Sequence, residues 1–180
     1  MLRHSLEVEF LDDDSFGWLD ITHVMTMTNA VRWAWSVDPG PHVARLALFA
    51  TWLLFDSSRG EQRHGIEEEV VATPEAGDLH NAIRFRDTQA ALNAVAALDP
   101  SAAGDQLIDA ALADQSGAFI VVAHQIKLSL AAKLEAEATG SHLPLFAAAR
   151  YLASPRNERF VRRNVTESLD FVRTGKPPQR

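Results

Sequence analysis

Two histidines carry the first chemistry in this chain, because each heads the same short pattern: His23-Val24-Met25-Thr26 and His124-Gln125-Ile126-Lys127. Imidazoles brought together supply two nitrogen ligands to a metal, two axial ligands to a haem, or an acid and a base for proton transfer. The same residues also read as core histidines whose polar edges are satisfied by hydrogen bonds. Lys127 follows His124 by one helical turn, where Thr26 follows His23 in the first pattern, so the two side chains of each pair are neighbours on a helix. A lysine in that place binds an anionic substrate or forms a carbonyl adduct; it equally well snorkels at a helix edge.

Two further constellations flank this pair. Arg59, Glu61, His64 and Glu68 gather around a glycine-containing turn, and His64 and Glu68 share a face if that segment is helical, a spacing that suits two metal ligands. His80, Arg84 and Asp87 lie about one turn apart, with Asp87 placed to orient a base, ligate iron or join a surface ion pair. Trp18, Trp33, Trp35 and Trp52, with Phe49 and Phe55 nearby, crowd the first half and can wall an aromatic or porphyrin pocket or simply pack a core. A His-Asp doublet, a pair of Glu-x-x-His motifs on repeated helices, a His-Glu-x-x-His zinc motif, a phosphate cradle and a nucleophile elbow are all missing from the sequence, which lowers hydrolase, kinase and nicotinamide-enzyme readings.

The elements that position these groups follow from an internal echo at an offset of 101 residues. Leu6, Leu11, Asp13, Ser15, His23 and Ala30 recur as Leu107, Leu112, Asp114, Ser116, His124 and Ala131, with Trp18/Phe119 and Arg32/Lys133 as related pairs. Shared composition alone gives identity at roughly one position in fifteen. The echo continues through Asp38-Pro39-Gly40-Pro41-His42 against Thr139-Gly140-Ser141-His142. It predicts an all-α, compact helical bundle built from two internally repeated halves about an approximate pseudo-two-fold axis, with His23 and His124 converging on one central region.

Periodicity and capping place helices from near Phe16 to Val37, from His42 to Ser57, from Asp78 through Leu98, from Asp105 to Ala113, from Ser116 to Ala138, from His142 to Ala153 and from Asn157 to Val172. Phe119 to Val122 reads locally like a strand, yet the alanines and leucines after it absorb it into a helix. Residues 1–173 form a single all-helical domain in this reading, with halves at about 6–62 and 107–160, a polar insertion at about 63–104 and a flexible tail at 174–180.

With 180 residues, 47% of them hydrophobic, the chain can close one good core. A formal charge of -7 argues against nonspecific nucleic-acid binding, and no apolar stretch is long and uninterrupted enough for a membrane span. The absence of cysteine removes disulfide and thiolate chemistry. The amino terminus turns acidic before it turns apolar, unlike a signal peptide, so cytoplasmic residence is the expectation.

At His23-Thr26, His124-Lys127, Pro41-His42 through Trp52, and the Ala147 to Glu158 run, the chain resembles the questin oxidase-like family. That resemblance implies a largely helical protein and oxygen-dependent oxidation of an aromatic or quinone-like small molecule, as a monooxygenase or related oxidoreductase. It implies that His23 and His124 line the cavity and that Lys127 and Arg59 recognise a carbonyl, carboxylate or phenolate oxygen beside Trp52. Asp87 would join the catalytic set, His64, Glu68 and His80 would supplement the metal ligands, and iron or haem would handle the spin-restricted chemistry of oxygen. Two other classes stay open on the residues alone: a non-enzymatic helical protein that binds a small apolar molecule or haem, and a homodimeric helical scaffold.

Overall fold

The computed structural model describes residues 18–63, 71–114, 119–154 and 168–176. The described residues are all helical or loop: α1 (Trp18–Val37), α2 (Pro41–Arg63), α3 (Leu79–Arg84), α4 (Thr88–Ala97), α5 (Pro100–Leu112), α6 (Phe119–Thr139), α7 (Leu143–Ala153), and a further helix, α8, over 168–174. The early part of the echo before Trp18, His64, Glu68, residues 115–118, residues 155–167 and the last four residues of the tail lie outside the described residues.

Local chemistry explains most of the boundaries. Asp38-Pro39-Gly40 interrupts the hydrogen-bond ladder between α1 and α2, and Pro41 opens α2 where its missing N–H costs nothing. Three aspartates cap three helices in turn. Asp78 accepts from the Asn81 N–H at 3.0 Å, Asp87 from the Ala90 N–H at 2.9 Å and Asp99 from the Ser101 N–H at 2.9 Å, each satisfying a donor that the first turn leaves orphaned. Gly140, at φ 67°, ends α6 in the left-handed conformation that a residue without Cβ adopts without strain.

The single helix expected from Asp78 through Leu98 is two helices. Arg86 adopts φ 62°, the Arg86 N–H reaches the Ile83 carbonyl at 3.2 Å, and the Asp87 N–H reaches the Ala82 carbonyl at 2.9 Å. This wraps up the end of α3 as a Schellman turn before Asp87 starts α4. Nor are residues 79–98 a polar appendage of the bundle: Leu79, Ile83, Leu92 and Val95 enter the same buried cluster as Leu107, Leu128, Leu145 and Leu152. Each such burial contributes about 2 kcal/mol, so α3 and α4 are part of the core rather than an insertion on it. Two other helices are longer than expected, α2 running on to Arg63 and α5 starting at Pro100.

Alanines fill the space between those leucines. Ala91, Ala94, Ala103, Ala111, Ala132, Ala136, Ala148 and Ala149 are all buried, which lets α4, α5, α6 and α7 approach closely. At the α5–α6 contact the approach is closest: a Cβ built on Gly104 would stand 2.9 Å from the Lys133 Cβ and 2.7 Å from its Cγ. The Lys133 stem crosses over Gly104 and its ammonium pairs with Asp105.

α1 joins this assembly through α6, and α2 packs chiefly on α1. Glu135, buried on α6, accepts from Arg32 Nε at 3.0 Å and Nη2 at 2.9 Å, and from Asn29 Nδ2 at 3.2 Å. His23 meets His124 nearer the start of both helices, so α1 and α6 run parallel. No helix among the described residues is long and apolar enough to cross a membrane.

Candidate functional site

His23 and His124 meet. The His23 and His124 ring centroids stand 5.6 Å apart with their planes tilted by 46°, His124 buried on α6 and His23 half-buried on α1. Both occupy the face where α1 and α6 pack, and the Arg32–Glu135 fork two to three turns further along holds the parallel alignment that brings them opposite each other.

His23 also opens onto a groove between α1 and α2. Thr26, Met27 and Ala30 complete its α1 side, Phe49, Trp52 and Leu53 form its α2 side, and it encloses about 450 Å³. These residues recur at three- and four-residue spacing on each helix, so each wall is one helical face. The Thr26 hydroxyl is turned back into α1, donating to the Thr22 carbonyl at 3.1 Å. His23 is therefore the imidazole in an otherwise largely apolar lining, and His124 stands behind it.

The other sequence-derived candidates are dispersed. Lys127 is exposed and does not line the groove, although it lies only one turn from His124. Asp87 is the α4 cap, and its carboxylate oxygen is engaged by the Ala90 N–H. Arg59 lies over the Phe55 ring at 5.7 Å on the exposed side of α2. Trp52 lines the groove as the aromatic wall. His80 belongs to a second cavity of about 590 Å³, shared with Arg84, Arg86, Asp114 and Gln125. His64 and Glu68 lie outside the described residues.

Phe49, one of the aromatics that the sequence offered as a pocket wall or a packing residue, lines the groove together with Met27. Two features were not expected from the sequence. Gln125, next to His124, is almost wholly buried, with an Oε1 that finds no hydrogen-bond partner among the described residues. Glu135 carries the α1–α6 tie; an acidic residue in the middle of an apolar helical face was the available signal, because a buried carboxylate needs a partner. His142, by contrast, is bound to the Leu98 carbonyl at 3.1 Å and stacks on Phe146, a structural histidine.

The donor set bears on iron and haem. Two imidazoles sharing one ion at about 2 Å each have centroids about 5–6 Å apart, which the His23–His124 separation matches. Among the described residues no group of three His, Cys, Asp or Glu side chains gathers in metal-binding proximity. The described residues thus do not complete an iron centre, and no chemical step is routed through one. Comparison with protein-family models, with curated proteins and with solved structures finds no match to this chain. The resemblance to the questin oxidase-like family rests on the sequence motifs.

Proposed function

We propose that this chain binds an aromatic or quinone-like small molecule in the α1–α2 groove. The ring lies against Trp52 and Phe49, and His23 meets a carbonyl or hydroxyl oxygen with His124 behind it as a proton partner. The observation that carries this reading is the coincidence, at one place, of a contacting imidazole pair and an aromatic wall. Ligand sites are commonly apolar with few polar groups that fix orientation, and this groove has that composition. The two histidine helices are taken as copies of one ancestral unit about an approximate two-fold axis, their equivalent residues meeting between them.

In the enzymatic form of the reading, an oxygen-dependent oxidoreductase, His23 and His124 would hold an iron that would supply the reactivity toward dioxygen, and the groove would bind and orient the substrate.

Titration with 1,4-naphthoquinone, followed by tryptophan fluorescence, tests binding. Saturable quenching is expected in the native chain, and His23→Leu is expected to weaken it by about tenfold, the worth of one hydrogen bond to a polar ligand atom. Absence of saturable binding overturns the proposal. Oxygen uptake with the corresponding hydroquinone, before and after loading with ferrous iron, tests the enzymatic form; binding without iron-dependent uptake reduces the reading to a binding protein.

A further inference from the structure

An exposed side of α2, bordering the groove that α2 forms with α1, carries an ordered stripe. Arg45, Phe49, Trp52 and Asp56 follow one another at intervals of four, three and four residues, which at about 100° per residue keeps them within about 60° of the helix circumference. Leu48 and Phe55 flank the stripe. Leu48 is 71% exposed, Phe49 63%, Trp52 60% and Phe55 58%. Among the described residues, Arg45 and Asp56 have no ion-pair partner within the chain.

A helix that is apolar on all sides is ordinarily a buried helix. The helix that the sequence echo pairs with α2 is α7, and α7 is closed over by α3, α4, α5 and α6. Leu48, Phe49, Trp52 and Phe55, four of the exposed apolar side chains of α2, together present roughly 500 Å², near the upper end of what one patch on a monomer exposes. With the charged rim added, this approaches the roughly 800 Å² that each partner contributes to a standard interface.

The stripe also specifies its occupant. Read in order it is cation, aromatic, aromatic, anion, a sequence that is its own complement when reversed. Two copies of α2 laid antiparallel, with the two-fold axis passing between Ala50 and Thr51, set each Arg45 against Asp56 of the second copy and each Phe49 against Trp52 of the second copy. A parallel pairing would instead oppose Arg45 to Arg45 and Asp56 to Asp56, and like charges in contact disfavour it. We infer that α2 pairs antiparallel with α2 of a second copy of this chain, making a symmetric dimer sealed by two Arg45–Asp56 ion pairs around a Phe49–Trp52 centre. Phe49 and Trp52 are also groove walls, so the second copy borders the groove; that consequence rests on the proposed ligand site, whereas the pairing does not.

The test is made on the full chain without ligand, by sedimentation velocity and light scattering over a concentration series. A dimer is expected. Arg45→Asp and Asp56→Arg, each creating two like-charge contacts, are expected to weaken it by roughly ten- to hundredfold. The double swap R45D/D56R restores both pairs and is expected to bring the affinity back to within about threefold. Both residues are exposed, so helix content by circular dichroism stays unchanged in all three variants. A monomer at about 100 µM overturns the inference, and so does a dimer indifferent to the single reversals or not rescued by the double swap.

Discussion

His23 and His124, a hundred and one residues apart in the chain, place their imidazole centroids 5.6 Å apart across the α1–α6 contact. Their environments differ: His124 is buried in the helix interface, whereas His23 opens onto the groove lined by Phe49, Trp52 and Leu53. The same substitution should therefore have different consequences at the two positions. His124→Ala is expected to cost about 1–3 kcal/mol of stability, because it removes a buried side chain from the helix interface and leaves a cavity. His23→Ala should cost under about 1 kcal/mol and act mainly on naphthoquinone binding. Urea unfolding and ligand titration on both variants measure the contrast.

The Arg32–Glu135 fork predicts a second asymmetry. Arg32 is half exposed and Glu135 is buried, so deleting the arginine strands a carboxylate in the helix interface with, among the described residues, only Asn29 to bond it. Arg32→Ala is expected to destabilise by about 1–2 kcal/mol. In R32A/E135L the charge is gone and the apolar replacement packs, so most of that loss should return. A double-mutant cycle by chemical denaturation decides it; additive losses would show that the two residues do not act as a pair.

Arg86 stands where helix ends usually have glycine. Its φ of 62° is strained for any side chain, and its guanidinium donates to the Leu152 carbonyl at the end of α7. Burial also lowers the pKa of this arginine from its ordinary value. Alanine removes the hydrogen bond and keeps the strain; glycine removes both. Arg86→Gly is therefore expected to be more stable than Arg86→Ala by about 1 kcal/mol, reversing the usual helix ranking of the two residues. Thermal and urea midpoints of the two variants give the order directly.

At Gly104 the helix propensity and the packing point in opposite directions. Alanine favours a helix over glycine by about 1 kcal/mol, but its Cβ would sit 2.9 Å from the Lys133 Cβ, an atom close to the α6 backbone and unable to swing aside. The α5–α6 contact must then open. Overpacking of this kind costs about 1–3 kcal/mol, so Gly104→Ala should be destabilising on balance; a stabilised variant would mean that α6 shifts freely.

Lys133 links that contact to pH. The hydrogen bond from its ammonium to Asp105 outweighs partial desolvation and, with the charges of Asp105 and Glu137, raises its pKa above the ordinary 10.5. A cation whose pKa is higher in the folded chain adds stability in full below its unfolded pKa and loses it as pH climbs through the folded value. A small alkaline destabilisation beginning near pH 10.5 is expected, and Asp105→Asn should abolish most of it. Melting temperatures measured between pH 8 and 11.5 on both proteins test this.

What could be read from residue order alone was what depends on neighbours within a turn. The helix ends at Asp38-Pro39-Gly40, Asp99-Pro100 and Gly140 follow from local backbone chemistry, and so does the absorption of Phe119 to Val122 into α6. The echo of His23 in His124 suggested a meeting, and the helices do bring the rings together. Asp87 shows the limit: a carboxylate near His80 and Arg84 in sequence looks chemical, while its actual partner is the Ala90 N–H three residues on. The break at Arg86 was hidden because an arginine takes a conformation that composition reserves for glycine.

Only the packed structure decided which way each helix face turned. Lys127 and His124 share a helix and differ by one turn, yet one is exposed and the other is buried, because the direction from which α1 lies on α6 admits the imidazole and leaves the lysine outside. Trp52 and Phe49 read as core residues and stand at the surface, because α2 has α1 on one side and no other described helix packed extensively on the far side. Periodicity fixes the angle of a side chain about its own helix axis. It does not fix which neighbour, if any, occupies that direction; that depends on the docking of helices far apart in the chain, and so on the summed packing of the whole core.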